Sequence, residues 1–137
     1  MKNKKNGAII NITSMSSLRP FPLLSIYGAS KAYLDLFSRT LQAEYQNEGI
    51  TIQTLCPSGV YTRLLKEFSS NVKSGFLVPD PDIYAAHAIR TLGFSSNTTG
   101  YWAHGIQCSL LTLMPTCFLK KLFMGYRKAA IVKAKKS

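Results

Sequence analysis

Residues 7–62, GAIINITSMSSLRPFPLLSIYGASKAYLDLFSRTLQAEYQNEGITIQTLCPSGVYT, decide the fold. The β-branched, apolar run Gly7–Thr13 predicts a strand buried on both faces, as in a parallel sheet. After a proline-containing loop, Ser25–Asn47 predicts a long helix, and Ile50–Cys56 predicts a second strand that ends at Pro57. A strand, a helix and a strand in this order predict a βαβ unit, which closes right-handed into a parallel sheet.

The predicted long helix carries one mostly apolar face. Ser25 is its predicted N-cap, and Gly49 is the predicted residue that terminates it. The residues that share the face recur with the 3.6-residue period of a helix. They are Ile26, Ala29, Tyr33, Leu36, Phe37, Thr40, Leu41 and Glu44.

Shorter elements are predicted downstream of the βαβ unit. The patterns indicate a loop from Pro57 to Pro81 with a short helix at Thr62–Phe68, and a helix at Asp82–Leu92 that begins near Asp80 or Asp82. They further indicate a short strand at Gly100–Gly105, and helix on either side of Pro115 within Ser109–Ala134.

Three side chains near the predicted strand ends have the right chemistry for a carbonyl or alcohol substrate. Tyr27 and Lys31 are four residues apart and therefore share a helix face, and Ser14 follows the first strand. In open α/β sheets, reactive groups gather beyond the carboxyl ends of the strands. An ammonium beside a phenol stabilises the phenolate and makes the phenol a more effective general acid-base at neutral pH. A serine hydroxyl can donate to the developing alkoxide.

The ordered motifs resemble those of the short-chain dehydrogenase/reductase family. They are NITS at 11–14, YGASK at 27–31 and PSGVYT at 57–62, with the order and spacing of that family. The resemblance implies that Ser14 orients the substrate carbonyl, that Tyr27 is the general acid, and that Lys31 binds the nicotinamide ribose and supports Tyr27. The implied cofactor is NADP(H), with NAD(H) as the alternative, and no metal is expected. The implied cofactor-binding residues are Tyr27, Lys31, Pro57, Val60 and Thr62.

Residues 7–45 and 98–115 are similar to one branch of this family, which reduces steroid 17-ketones or 3-oxoacyl-CoA. The resemblance implies such an apolar carbonyl substrate, a location at the endoplasmic reticulum, and a possible homodimer formed through the long helix. Apolar side chains flank the predicted site, and they suit either substrate. They are Phe21, Leu23, Leu24, Phe68, Phe76 and Leu77.

The glycine-rich TGxxxGxG turn of the family, which holds a pyrophosphate at a helix N-terminus, does not occur in the 137 residues. We therefore expect an α/β fold that is the C-terminal half of a Rossmann-like doubly wound parallel sheet, without the N-terminal cofactor-binding half. The chain is expected to be a fragment, a truncated product or a short isoform that is not a competent enzyme alone. The alternative is a catalytically inactive short product that binds the full-length enzyme or a membrane surface.

Charge and composition narrow the classes of partner. Seventeen Lys and Arg against six Asp and Glu give a net charge of +11, which suggests an anionic partner. No nucleic-acid-binding motif accompanies the basic residues, so nucleic acid is not expected. Three cysteines without a CxxC pattern argue against a disulfide framework or zinc site. His87 and His104 lack metal-ligand spacing, and we interpret them as ordinary helix or loop residues.

The C-terminal part of the chain is apolar and then basic. Residues 91–119 contain no Asp, Glu, Lys or Arg, and basic residues follow from Lys120 onward. The mostly apolar stretch 106–119 is too short for a simple bilayer span. It predicts either a buried core helix or a helix at a membrane surface. We therefore divide the chain into a partial catalytic domain at 1–105 and an apolar, then basic segment at 106–137, which is a candidate for membrane contact. The final KAKKS resembles a dilysine retrieval signal, which implies a cytosolic C-terminus.

Overall fold

The structure, a computed structural model, describes residues 1, 6–22, 24–68, 72–119, 121 and 124. Its three strands are β1 (Gly7–Ile12), β2 (Ile50–Leu55) and β3 (Asn97–Thr98). Its four helices are α1 (Ser25–Tyr45), α2 (Arg63–Phe68), α3 (Pro81–Ile89) and α4 (Trp102–Leu113), and Met15–Ser17 forms a 3-10 turn. The sheet order is β1-β2-β3 and both strand pairings are parallel, which confirms the predicted α/β class and the βαβ unit.

The central strand β2 is covered on both faces. On one face, Gln42 of α1 donates from Nε2 to Thr54 Oγ1 at 3.2 Å, and Ser38 of α1 accepts a 2.8 Å bond from Asn11 Nδ2 of β1. On the other face, Leu55 packs in a core cluster whose further members come from α3 and the start of α4: Tyr84, Ala88, Tyr101 and Ala103. Because the two helical layers pack on opposite faces of β2, this strand sets where α3 and the start of α4 lie relative to α1.

The buried Gln53 shows how β2 also organises the loop before β3. Its side-chain Nε2 donates to the carbonyl oxygens of Thr91 and Ser95, both at 2.8 Å. Buried polar groups need such partners, because an unsatisfied carbonyl costs about 1–3 kcal/mol. The Gln53 amide thus holds the turn that leads the chain from α3 into β3.

The prediction that β1 is buried on both faces is wrong. β1 is an edge strand, and its residues alternate between half-buried and exposed. Ile10 and Ile12 are 39% and 52% exposed, because the layer of α3 and α4 packs on Leu55 of β2 and does not cover this face of β1. The apolar sequence of β1 therefore does not indicate a strand that is buried on both faces.

The apolar face of α1 is also turned to solvent. Ile26, Tyr33 and Leu36 are 88%, 70% and 68% exposed, and Tyr33 stacks on Phe37 with the ring centroids 6.0 Å apart. The residue of α1 that is buried is the small, polar Ser38. The covered side of the helix carries Ser38 and Gln42 together with the half-buried Leu34 and Leu41. The exposed apolar stripe has no partner among the residues that the structure describes.

Two predicted element boundaries are wrong for identifiable reasons. Ser25 is the first residue of α1 and not its cap, since Leu24 occupies the N-cap position without a side-chain bond. No strand forms at Gly100–Gly105, because Gly100 has a φ of +71° that turns the chain, and α4 begins at Trp102. The aromatic residues 101 and 102 favour a strand locally, but the turn at Gly100 sends them into the helix.

The remaining predictions agree in type and differ in extent. α2 falls within the predicted stretch Thr62–Phe68. α3 begins one residue before the predicted Asp82–Leu92 and ends three residues earlier, with Asp80 as its N-cap. Helix before Pro115 is present but begins seven residues earlier than Ser109, and residues 116–119 are helical again. The predicted boundary at 105/106 falls inside α4, so the domain division stays a prediction. The stretch 125–137, including the dilysine pattern, lies outside the described residues.

Candidate functional site

The segments that follow β1 and β2 run side by side at one edge of the sheet. Thr13 N–H donates to the Leu55 carbonyl at 2.7 Å, and Met15 N–H donates to the Pro57 carbonyl at 3.0 Å. These bonds extend the parallel pairing past the ends of the strands. They bring the NITS segment and the PSGVYT turn to the same place, as expected for the carboxyl ends of adjacent parallel strands.

Ser14 lies at this edge and begins the 3-10 turn. Its backbone is extended, and its Oγ accepts a 3.2 Å bond from the N–H of Ser16. Its carbonyl accepts a 2.7 Å bond from Ser17 Oγ. A hydroxyl that accepts one bond keeps its own proton to donate, so Ser14 can still donate to a substrate oxygen.

The first turns of α1 pack against the same segment. A Cβ added to Gly28 would lie 3.2 Å from the Ser16 carbonyl oxygen, so this position needs a glycine or a small shift of the turn. One turn later, Lys31 Nζ donates to the Ile12 carbonyl at 2.9 Å. The close approach at Gly28 and the bond from Lys31 hold the start of the helix at the end of β1.

Tyr27 and Lys31 are neighbours on this part of the helix. The Lys31 ammonium lies 5.8 Å from the centroid of the Tyr27 ring, and Tyr27 is 36% exposed. Lys31 uses one of its three N–H donors on Ile12, which leaves two for a ligand hydroxyl. No hydrogen bond joins the side chains of Ser14 and Tyr27 in the described structure, so their joint action on one substrate stays a prediction.

The PSGVYT turn is fixed by the core and by its own hydrogen bonds. The carbonyl of buried Pro57 accepts the bond from Met15, and Val60 packs against the core cluster. Thr62 donates from its N–H and its Oγ1 to the Val60 carbonyl, at 2.6 and 3.3 Å. Backbone polar groups and a threonine hydroxyl in a rigid turn can bind a carboxamide. The turn thus offers the kind of groups that hold a carboxamide, and its assignment to the nicotinamide end of the implied cofactor stays a prediction.

His104 belongs to this region, although the sequence analysis treated it as ordinary. It is fully buried in α4, and its ring accepts the Ser58 N–H at Nδ1, 3.4 Å away, while Nε2 lies 3.2 Å from the Gly59 carbonyl oxygen. Burial lowers the pKa of His104, and hydrogen bonds to the Gly59 and Leu77 carbonyls offset part of that effect. The sequence did contain one signal: residues 91–119 have no Asp, Glu, Lys or Arg, and His104 is their one histidine.

A cavity of about 430 Å³ opens beside the loop that joins Ser14 to α1. Phe21 and Leu24 line it, as do Gly28 and Ala29 of the helix, but none of the three predicted catalytic side chains does. Arg19 also lines it and donates to the carbonyls of Thr112 and Met114 at 3.0 and 2.8 Å, which ties the loop to the C-terminal end of α4. Of the predicted flanking residues, Phe76 and Leu77 do not line it, and Phe76 packs on Trp102. Leu23 and the side chain of Phe68 lie outside the described part of the chain.

The described part of the chain contains neither a metal-binding cluster nor a helix that could span a membrane. No cluster of three or more His, Cys, Asp or Glu side chains there could hold a metal ion. None of the described helices combines the length and the apolar character needed to cross a bilayer.

Residues 1–73 match the family model described as short chain dehydrogenase. The chain is 47% identical over 115 residues to "Inactive hydroxysteroid dehydrogenase-like protein 1" of Homo sapiens, covering 84% of this chain and 35% of that protein. It is 36% identical over 129 residues to "Very-long-chain 3-oxoacyl-CoA reductase" of Mus musculus, covering 94% of this chain and 40% of that protein. The chain thus spans little more than a third of the length of these curated relatives.

A solved structure supports the same likeness. A "short chain dehydrogenase/reductase family protein" superposes with a TM-score of 0.62 at 26% identity, covering 75% of this chain and 48% of that one. The parallel sheet and its helices correspond to about half of that solved fold.

Proposed function

The chain belongs to the short-chain dehydrogenase family, and on that premise we propose that it carries the substrate-side residues of an NADP(H)-dependent oxidoreductase. The observation that carries the proposal is the position of the Lys31 ammonium. It donates a hydrogen bond to the Ile12 carbonyl at the end of β1, and it lies 5.8 Å from the centroid of the Tyr27 ring. A cation fixed at that point favours negative charge on the phenol oxygen, which is the form that a proton-donating tyrosine leaves behind.

In the proposed reaction, each residue acts at a stated atom. The Ser14 hydroxyl donates to the substrate oxygen and orients the carbonyl, and the Tyr27 hydroxyl gives its proton to that oxygen as the alkoxide forms. The bound nicotinamide supplies the hydride that reduces the carbonyl carbon. Lys31 would hold the ribose with its remaining donors, and Val60 and Thr62 would hold the carboxamide. NAD(H) is the alternative cofactor.

We propose a steroid 17-ketone or a 3-oxoacyl-CoA as the substrate class. The relatives named for hydroxysteroids and for very-long-chain 3-oxoacyl-CoA support this choice. The apolar lining of the cavity beside the Ser14 loop, with Phe21, Pro22 and Leu24, suits either large apolar molecule.

The test measures the reduction of a steroid 17-ketone and of a 3-oxoacyl-CoA. The enzyme is the protein as its source makes it, isolated with an antibody against residues 127–137. We expect NADPH-dependent turnover that Tyr27→Phe lowers by about 10²–10⁴-fold, the usual contribution of a general acid-base. Tyr33→Phe is the matched control, because Tyr33 stands on the same helix but is 70% exposed and its ring stacks on Phe37. Equal activity of the Tyr27→Phe variant and the wild type would refute the proposal.

A specific surface supports the second candidate, a catalytically inactive product that pairs with the full-length enzyme or with a second copy. The exposed stripe of α1, which includes Ile26, Tyr33 and Leu36, offers an apolar helix face for such pairing. The word "Inactive" in the name of the human relative is in keeping with it. Sedimentation velocity of the wild type and of Tyr33→Ser/Leu36→Ser tests it: pairing that the double variant abolishes would support this candidate.

We also propose contact with an anionic membrane surface, at the endoplasmic reticulum and with the C-terminus in the cytosol. The outward side of α4 supports the contact, because Trp102, Ile106, Leu110 and Leu113 are 53–81% exposed at helical spacing. Seven Lys and Arg and no Asp or Glu follow within residues 120–136. An apolar helix face beside a basic segment is typical of proteins that bind anionic lipid.

A further inference from the structure

We propose that His104 is a positioning residue that holds the Ser58–Gly59 peptide, and with it the turn at Pro57–Thr62. The inference rests on the proposed function insofar as that turn receives the nicotinamide end of the cofactor. His104 itself would touch neither cofactor nor substrate. It would act through the backbone of the turn.

The two hydrogen bonds of the ring define one tautomer. Ser58 N–H donates to Nδ1, so Nδ1 carries no proton, and Nε2 carries the proton that it donates to the Gly59 carbonyl. A neutral imidazole is the form that makes both bonds at once. The ring therefore bridges a donor and an acceptor on successive residues, Ser58 and Gly59, and fixes the orientation of the peptide between them.

The position of the ring is set by the core of the protein. Ala103, the residue before His104, is 1% exposed within the core cluster, and Val60 of the turn packs against that same cluster. The start of α4 and the turn are thus held to one apolar core, and His104 joins them by polar bonds. A displacement of α4 would move the turn.

The surroundings of the ring favour its neutral form. Two phenol rings face it, Tyr84 of α3 at 5.5 Å and Tyr101 at 5.2 Å between ring centroids. Burial raises the pKa of Tyr84, so that this phenol carries no charge that could stabilise an imidazolium. The polar backbone groups on the ring are the Ser58 N–H and the carbonyls of Gly59 and Leu77, and no carboxylate among the described residues bonds to it.

Protonation at Nδ1 would place an N–H against the Ser58 N–H. That bond cannot survive, because a donor would face a donor. The turn should then be ordered where His104 is neutral and loosened where it is charged. Because burial lowers the pKa of His104, the ordered form should persist at neutral pH and the change should occur below the ordinary histidine range.

Nuclear magnetic resonance of the ¹⁵N-labelled chain tests this without any cofactor. At neutral pH we expect the nitrogen shifts of a neutral ring protonated at Nε2, and slow hydrogen exchange at the Ser58 amide. His104→Phe keeps a ring but removes both bonds, and we expect it to speed Ser58 exchange at least tenfold. His104→Asn keeps a side-chain acceptor and should restore part of the protection. His87→Phe is the matched control, because His87 also contacts the Tyr101 ring, at 5.1 Å.

Unchanged Ser58 exchange in His104→Phe, with the Leu55 amide still protected, would overturn the proposal. If His104→Phe does not fold, the wild type decides: the Ser58 and Gly59 amide signals must titrate together with the His104 ring, and independent titration would overturn the proposal. Binding of NADPH, measured separately by fluorescence on the native protein, tests the cofactor assignment of the turn. If the Ser58 and Gly59 amides titrate with the His104 ring but NADPH does not bind, His104 still positions the turn. In that case the turn is no longer assigned to the nicotinamide.

Discussion

Lys31 donates a 2.9 Å hydrogen bond from its ammonium to the backbone carbonyl of Ile12, two residues before Ser14. The bond joins α1 to the end of β1 at the point where the chain enters the candidate site. A lysine side chain has a flexible stem of four methylene groups and would otherwise sample many positions. The bond to Ile12 therefore fixes the position of the ammonium group. The same ammonium lies 5.8 Å from the Tyr27 ring centroid, and one residue therefore serves both the fold and the proposed chemistry.

Removal of the Lys31 charge should lower activity more than stability. Lys31→Met loses the bond to Ile12, and since that bond is solvent-exposed we expect a loss of only about 1 kcal/mol in the free energy of unfolding. We expect kcat of the native enzyme to fall by about 10²-fold or more, because the proton transfer from Tyr27 loses its stabilising cation.

Lys66→Met provides the control for that experiment. Lys66 also lies over a tyrosine ring, with its ammonium 4.3 Å from the Tyr61 centroid, but it stands on α2 away from Ser14 and α1. Urea unfolding and steady-state kinetics measure both variants. An equal loss of kcat in the two variants would show that general charge and not the position of Lys31 matters.

Gly100 should be intolerant of a side chain. Its φ is +71°, and an added Cβ would lie 2.8 Å from the Tyr84 hydroxyl and 3.1 Å from the Ala88 Cβ. Left-handed backbone strain and overpacking together should make Gly100→Ala about 2–4 kcal/mol less stable. Gly93 has a similar φ of +83° with no atom within 4 Å of an added Cβ. Gly93→Ala should therefore cost only about 1 kcal/mol, and equal midpoints of urea unfolding for the two variants would contradict the packing argument.

Stability should fall in mild acid because of His104. Burial lowers the pKa of this group in the folded state, so the unfolded chain binds a proton more readily than the folded one. The contribution is present in full above the unfolded value of about 6.5 and is lost as the pH falls through the folded value. Each pKa unit of difference contributes about 1.4 kcal/mol.

The urea midpoint of the wild type should therefore drop between pH 7.5 and pH 5, and His104→Gln should flatten that dependence because its side chain does not titrate. The comparison is made at fixed ionic strength, so that the net charge of +11 is screened equally in both proteins. Parallel pH profiles for the wild type and the variant would show that other groups cause the acid sensitivity.

Binding to lipid vesicles should depend on the outward side of α4. Leu110→Ser/Leu113→Ser removes two side chains that are 57% and 81% exposed, so the fold should tolerate the change. We expect at least a tenfold weaker partition to phosphatidylcholine/phosphatidylserine vesicles in a flotation assay, because each leucine loses burial in the bilayer interface.

The control for vesicle binding removes apolar surface from the opposite helical layer. Ile26→Ser/Leu36→Ser changes two side chains of α1 that are 88% and 68% exposed, and it should leave partition unchanged. If both double variants lose binding equally, then general hydrophobicity and not α4 is responsible. Unchanged vesicle binding by Leu110→Ser/Leu113→Ser would show that α4 does not contact the membrane.

The sequence was sufficient for those features that depend on local pattern. The β-branched apolar runs and the 3.6-residue spacing, with the prolines and glycines between them, predicted β1, α1 and β2 in order and hence the parallel sheet. The spacing of Tyr27 and Lys31 placed them together on α1, as the 5.8 Å contact shows. These features depend on backbone conformation and on residues within one helical turn, and the sequence encodes both directly.

Only the tertiary structure shows which residues are buried and which elements cover them. Ile10 and Ile12 have the composition of a core strand, yet they lie exposed because β1 is at the edge of the sheet, and the apolar stripe of α1 faces solvent for lack of a partner among the described elements. His104 stands out locally as the one histidine in a stretch without Asp, Glu, Lys or Arg, but no local pattern shows that its ring bonds Ser58 and Gly59, which are 46 and 45 positions away. Burial and long-range hydrogen bonds depend on which elements meet in space, and a local pattern reports only the period of a segment and not the surface that comes to cover it.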